Sequence, residues 1–298
     1  MAQCIDPFFV VNPSPSYGKE KIPVPCGKCP ICLKRRASAW AFRLKQAYKL
    51  YPIAHFLTLT YAEAPISNNN FMTLVKRDFQ NFIKRLRKAH PKGSKISYYA
   101  VGEYGGQTWR PHYHAIIFNV DSELIEKCWN KNSIPFDVFD PHVKISGIAG
   151  IWQADPDVND ANIAYVCKYL HKGRRIPIHK NDDRVPEFSL MSKNFGLNYL
   201  TPEIIRYHLA DPDRMYVTLE DGVKLAMPRY YRDRIYSEEQ RLAHSIKVSI
   251  LAETELILRK AEFGRKYPNQ HFERSYHETV KALNRAFFEK AIADRNKL

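Results

Sequence analysis

The chain has 298 residues, 45% hydrophobic and 26% charged, enough for one large or two modest domains with a real core. Ordinary Pro, Gly and Phe usage excludes collagen-like and wholly disordered readings. No run of about 20 apolar residues and no signal-peptide pattern in MAQCIDPFFVVNPSPSYG are present, so a soluble, cytosolic protein is expected. Lys and Arg number 46 against 31 acidic residues, a formal charge of +15. Such an excess attracts polyanions through counterion release, which makes nucleic acid the leading partner class. The basic residues are spread along the chain, not gathered beside one amphipathic anchor, so a membrane is not expected.

In chain order, a Pro-rich start leads to the cluster CGKCPIC, and LKRRASAWAFRLKQAYKLY then has helical apolar spacing. HFLTLTYA alternates as a buried strand. After Asn68, Asn69 and Asn70, FMTLVKRDFQNFIKRLRKA reads as an amphipathic helix with a basic outer face. ISYYAVGEY and HYHAIIFNV read as strands joined through GGQTWRP as a hairpin. SELIEKCWN, capped at Asp121 or Ser122, is a short helix, HVKIS a further strand, and NDANIAYVCKYLHKG a helix stopped at Gly173. The expected fold class is α+β, a central, mainly antiparallel sheet with helices against one face. The expected division is a cysteine-rich segment at 1–36, an α+β domain at 37–200 and a basic region at 201–298 with helices at 237–263 and 272–293.

On the second hairpin strand the period of two puts His112 and His114 on one face and Tyr113 on the other. If the hairpin closes symmetrically about Gln107 and Thr108, Glu103 sits opposite His112, with Cβ atoms about 4.5–5.5 Å apart. Two imidazoles and a carboxylate with open positions suit Mg²⁺, Mn²⁺ or another catalytic first-row ion. A Glu103–Arg110 ion pair is the alternative use of that carboxylate. In YVCKYLHK, Tyr165 and Tyr169 share one helix face, and Lys168 and Lys172 form the neighbouring row. Core packing is the other reading of that tyrosine pair.

The order FLTLT, RPHYHAIIF, YVCKYLHK resembles the three motifs of the HUH endonucleases, and the paired tyrosines resemble their two-tyrosine branch. With the cysteine cluster, GEYG and EFSLMSKNFGLNYL, residues 1–200 resemble the replication initiators of microvirus-type small single-stranded DNA phages. The resemblance implies an HUH, RRM-like sheet with His112 and His114 as metal ligands, Tyr165 or Tyr169 as nucleophile and a central strand at 56–60 beneath the DNA. It implies metal-dependent nicking and joining of single-stranded DNA at a replication origin through a 5′-phosphotyrosine link, as in rolling-circle replication. Lys168 and Lys172 can offset charge on phosphate or phenolate. No GxxxxGK[ST] loop is present, so unwinding would fall to a host helicase, with a host polymerase copying the strand.

Cys26, Cys29 and Cys32 are one thiolate short of a tetrahedral zinc site. Cys4 is the best fourth ligand, because Cys128 and Cys167 fall within predicted helices. A structural Zn²⁺ there would tie the coil to the following helix and present Lys34, Arg35 and Arg36 to phosphates. Around the hairpin, Tyr98, Tyr99, Tyr104, Trp109 and Arg110 could stack unpaired bases or belong to the core. A non-catalytic zinc-containing nucleic-acid binder, with the His and Tyr sets in the core, is the alternative function.

Overall fold

A computed structural model describes residues 4, 7–11, 21–51, 53–61, 63–130, 163, 166–167 and 176–296. The strands and helices begin with β1 (Phe8–Val11), β2 (Lys21–Val24), α1 (Pro30–Leu50), β3 (Ala54–Thr60) and α2 (Lys76–Ala89). β4 (Ser97–Tyr104), β5 (Pro111–Phe118), α3 (Ser122–Asn130) and β6 (Phe188–Met191) follow. The chain ends with α4 (Pro202–Leu209), β7 (Tyr216–Thr218), β8 (Lys224–Ala226), α5 (Arg229–Ile235), α6 (Glu238–Lys266) and α7 (Phe272–Asn296). Two compact units result: Ala41–Tyr199 with Arg295–Leu298, and Met1–Trp40 with Leu200–Asp294.

The first unit is built on an antiparallel four-stranded sheet in the order β3-β5-β4-β6. Alternation along its strands sends Leu57, Leu59, Tyr98, Ala100, Tyr113, Ala115 and Ile117 to one face. There they meet Phe79, Phe82, Ile83 and Leu86 of α2 and Ile125, Cys128 and Trp129 of α3 in one core. α2 is amphipathic because these four positions repeat every three or four residues between cationic ones. Gly102 allows the sheet to close on β6: a Cβ there would meet Phe188 at 3.0 Å and Leu74 at 3.2 Å. On the opposite face, Phe118 packs against Tyr51 and Phe195.

Two details of that unit differ from expectation. The segment 56–60 lies in β3, which among the described residues is an edge strand paired only to β5; the interior positions go to the β4–β5 hairpin. The α2 helix starts at Lys76, because residues ahead of it bridge back, Met72 to Ile66 and Thr73 N–H to the Pro65 carbonyl.

In the second unit, β1 pairs with β2 and β7 with β8, each antiparallel. Thr201 caps α4 through its side chain, with Pro202 in the first turn. Ser237 and Gln240 form a reciprocal capping box that starts α6. Among the described residues no helix is long and apolar enough to cross a membrane.

Candidate metal centres

The β4–β5 register is the one expected from symmetric closure of the hairpin: Glu103 opposes His112, and Val101 opposes His114. On the other side of β5, Thr60 opposes His112 and Thr58 opposes His114. Glu103 Oε1 lies 3.1 Å from His112 Nε2 and 3.7 Å from His114 Nε2. The three ligand atoms all fall within 4.8 Å of one another. His114 is buried, while Glu103 and His112 keep partial access to solvent.

The outer partners orient these rings. His112 Nδ1 sits 3.1 Å from the Arg110 carbonyl oxygen, which can only accept, so Nδ1 carries the proton. Neutral His112 therefore turns the lone pair of Nε2 toward the Glu103 carboxylate. Two acceptors at that distance repel unless a proton or a cation joins them, so the donor set fits a divalent ion. Thr58 Oγ1 lies 3.0 Å from His114 Nδ1, and Phe56 stacks on the His114 ring with centroids 5.8 Å apart. Such partners fix ring orientation in metal sites. Thr58 was missed as a functional residue, although the alternation of FLTLT already put it on the histidine side.

Behind the histidines, Tyr113 Oη donates to the Val75 carbonyl at 2.7 Å and pairs with Tyr61 Oη at 2.6 Å. Burial pushes the Tyr113 phenol up to about 12, and burial followed by the adjacent Tyr113 pushes Tyr61 up as well. Tyr98, Tyr99 and Tyr104 are also buried, which decides their open reading in favour of the core. Trp109 is half-buried, with the Arg184 guanidinium 4.7 Å from its ring centroid. Arg184 is itself fixed by a bidentate pair with Asp182 at 2.8 and 2.9 Å. Arg110 is exposed and donates to the Tyr61 carbonyl.

Tyr165, Lys168, Tyr169 and Lys172 lie outside the described residues, as does the HVKIS segment. Of that neighbourhood, Ile163, Val166 and Cys167 are helical and buried. Burial pushes the Cys167 thiol up to about 12.

The second cluster joins Cys4, Cys26, Cys29 and Cys32, whose sulfurs all lie within 4.8 Å of one another and could hold a metal ion. Cys29 immediately precedes α1 and Cys32 is in its first turn. The Cys26 amide donates to Cys4 Sγ at 3.3 Å, and the Cys29 amide to Cys26 Sγ at 3.2 Å. Gly27 makes the turn between them at φ +72°, a region that favours glycine. Burial pushes the Cys32 thiol up to about 12, against the pull of the Gly27 amide. Lys34, Arg35 and Arg36 are exposed on α1 beyond this cluster.

Residues 54–174 match the family model of the phage replication-associated protein ORF2. The span includes both histidines, Glu103 and the tyrosine segment. Over 232 residues the chain is 28% identical to the replication-associated protein ORF2 of Spiroplasma virus 4, covering 73% of this chain and 69% of the relative. The chain is kin to phage replication-associated proteins. Over 234 residues it is 27% identical to protein VP4 of Bdellovibrio phage phiMH2K, covering 70% of this chain and 66% of the relative. Over 218 residues it is 27% identical to protein ORF4 of Chlamydia phage 1, covering 71% of this chain and about half, 53%, of the relative. Both are named replication-associated proteins. No solved structure matches the chain.

Proposed function

We propose that this chain is a metal-dependent, single-stranded DNA nicking and joining enzyme of the HUH type that initiates rolling-circle replication in the host cytoplasm. The observation that carries the reading is the convergence of Glu103, His112 and His114 within 4.8 Å, inside the segment matched by the replication-associated model. The sheet, with its histidine strand in the interior and α2 and α3 on one face, supports an HUH, RRM-like nuclease domain at 37–200. The cysteine segment would occupy 1–36 and the helical region 201–298. The net charge of +15 suits single-stranded origin DNA.

Mg²⁺ or Mn²⁺ held by the three ligands would supply Lewis-acid polarisation of the scissile phosphate. Tyr165 or Tyr169 is the nucleophile. Its Oη–P bond forms as the P–O3′ bond breaks, and the phenolic proton ends on the 3′ oxygen. The products are a 5′-phosphotyrosine and a free 3′-hydroxyl. A phenol titrates near pH 10, so charge on the attacking oxygen needs a partner, the role given to Lys168 and Lys172. One phosphodiester replaces another, so the reverse reaction rejoins a strand without ATP. A second tyrosine lets the enzyme cleave again while attached. The helical period sets positions 165, 168, 169 and 172 apart from 163, 166 and 167. The buried residues Ile163, Val166 and Cys167 all belong to the second set, which supports a substrate-facing role for the first. The four-cysteine cluster is assigned a structural Zn²⁺, and a host helicase and polymerase complete the machinery.

Labelled single-stranded origin DNA incubated with Mn²⁺ should yield a covalent adduct. Mass spectrometry should find a nucleotide on the peptide spanning 165–172. A gel shift with no cleavage would instead mark a non-catalytic binder. Full cleavage by the Tyr165→Phe/Tyr169→Phe double variant would point to hydrolysis by metal-activated water.

A further inference from the structure

Resting on the DNA-binding part of that reading, we propose that the four-cysteine cluster is a Zn²⁺-organised grip for the phosphate backbone of single-stranded DNA, with Lys34, Arg35 and Arg36 as its contacts. The sulfur positions suit zinc. Tetrahedral Zn–S bonds of about 2.3 Å give sulfur–sulfur edges of about 3.8 Å, and Cys4 Sγ lies 3.8 Å from Cys29 Sγ. All four sulfurs share one 4.8 Å neighbourhood. Four soft thiolates favour zinc over the hard cations that suit Glu103, His112 and His114. Amide donors from Cys26 and Cys29 reach two of the sulfurs, the kind of partner that stabilises thiolate charge.

The ion's position gives the cluster its second role. Cys4 and Cys26 come from chain outside α1, whereas Cys29 and Cys32 flank its first residues. One ion bound to all four would stop the first turn of α1 from fraying, and cations displayed from a fixed turn lose less freedom on binding than those on a loose one. Lys34, Arg35 and Arg36 follow directly and are all exposed, between the buried pair Leu33 and Ala37. Their consecutive spacing fans three charges across about 200° of helix surface. An extended phosphate chain meets such a fan more fully than a single carboxylate does, and three phosphate contacts would leave a measurable mark on salt dependence.

The test uses the full chain and a labelled oligothymidylate, without Mg²⁺ or Mn²⁺ so that no strand is cut. Zinc content is measured alongside affinity across a salt series. Wild type should carry one zinc per chain. The triple variant Lys34→Ala/Arg35→Ala/Arg36→Ala should keep its zinc, while the slope of log affinity against log salt becomes shallower by about two. Cys4→Ser, which alters the ligand outside the helix and its approach, should lose zinc and show the same shallower slope. A wild-type slope in the triple variant would overturn the contacts. Absence of zinc from the wild type, or zinc loss in Cys4→Ser with slope and affinity unchanged, would overturn the ion's role. If these binding results hold but no phosphotyrosine adduct forms with Mn²⁺, the nuclease reading fails and the grip stands.

Discussion

The two ligand clusters are of similar size and are made in opposite ways. Cys26, Cys29 and Cys32 are neighbours in sequence, and only Cys4 must come from afar, so most of that site is a property of one loop and one helix turn. Glu103, His112 and His114 meet because two strands pair in one register out of several. A slip of one residue would send the carboxylate to the opposite face, among Tyr104 and Tyr113. The local cluster is suited to holding chain together. The register cluster is suited to chemistry, because its strands leave one side of the ligand set open to solvent while Thr58 and the Arg110 carbonyl hold the rings from behind.

The sharpest way to break this contrast is to remove a ligand from each cluster and read both activity and stability. His114→Ala should lower the single-turnover cleavage rate on the order of a thousandfold, the scale of a lost Lewis acid, while the melting temperature stays within a few degrees. Cys29→Ser should do the reverse, releasing zinc and lowering the melting temperature by roughly 10 °C. A collapse of cleavage in the folded fraction of Cys29→Ser would erase the distinction.

A smaller effect sharpens the register side. Thr58→Val removes the hydroxyl from His114 Nδ1 and keeps a β-branched shape in β3. Mn²⁺ affinity measured by calorimetry should drop about 10–100-fold, as expected for an orienting partner, with circular dichroism unchanged. An unchanged affinity would mean that the ring is held by its stack on Phe56 alone.

The smallest effect concerns the sheet's buried side. Tyr113→Phe deletes the hydroxyl that links Tyr61 and Val75 and should cost about 1–2 kcal/mol in urea unfolding. It should also change alkaline behaviour. The folded phenol titrates at about 12, against about 10 when unfolded, so the unfolded chain loses its proton first. The resulting stability is complete below pH 10 and is lost as pH rises toward 12. Wild type should therefore destabilise with pH in that window, and Tyr113→Phe should flatten the slope.

Much of this was legible because its signals are local. The alternation of HYHAIIFNV and the turn residues of GGQTWRP fixed a hairpin, and its symmetric closure placed Glu103 across from His112. α6 and α7 came within a few residues of expectation because long periodic segments with caps at Ser237 and near Phe272 announce themselves. The β7–β8 hairpin and the helices α4 and α5 were passed over: each is eight residues or fewer, too short to display a period.

By itself the sequence determined the charge, the spacing of the cysteines, the face shared by His112 and His114, and the sheet-and-helix composition, all of which depend on residue identity and period alone. Only the tertiary structure decided that β3 takes an edge, that Phe188 closes against Gly102, that Cys4 returns to its three partners and that Thr58 stands behind His114. Those are contacts across 25 to 86 positions of chain. Their formation weighs loop closure against burial of the whole core, a balance that no single segment contains.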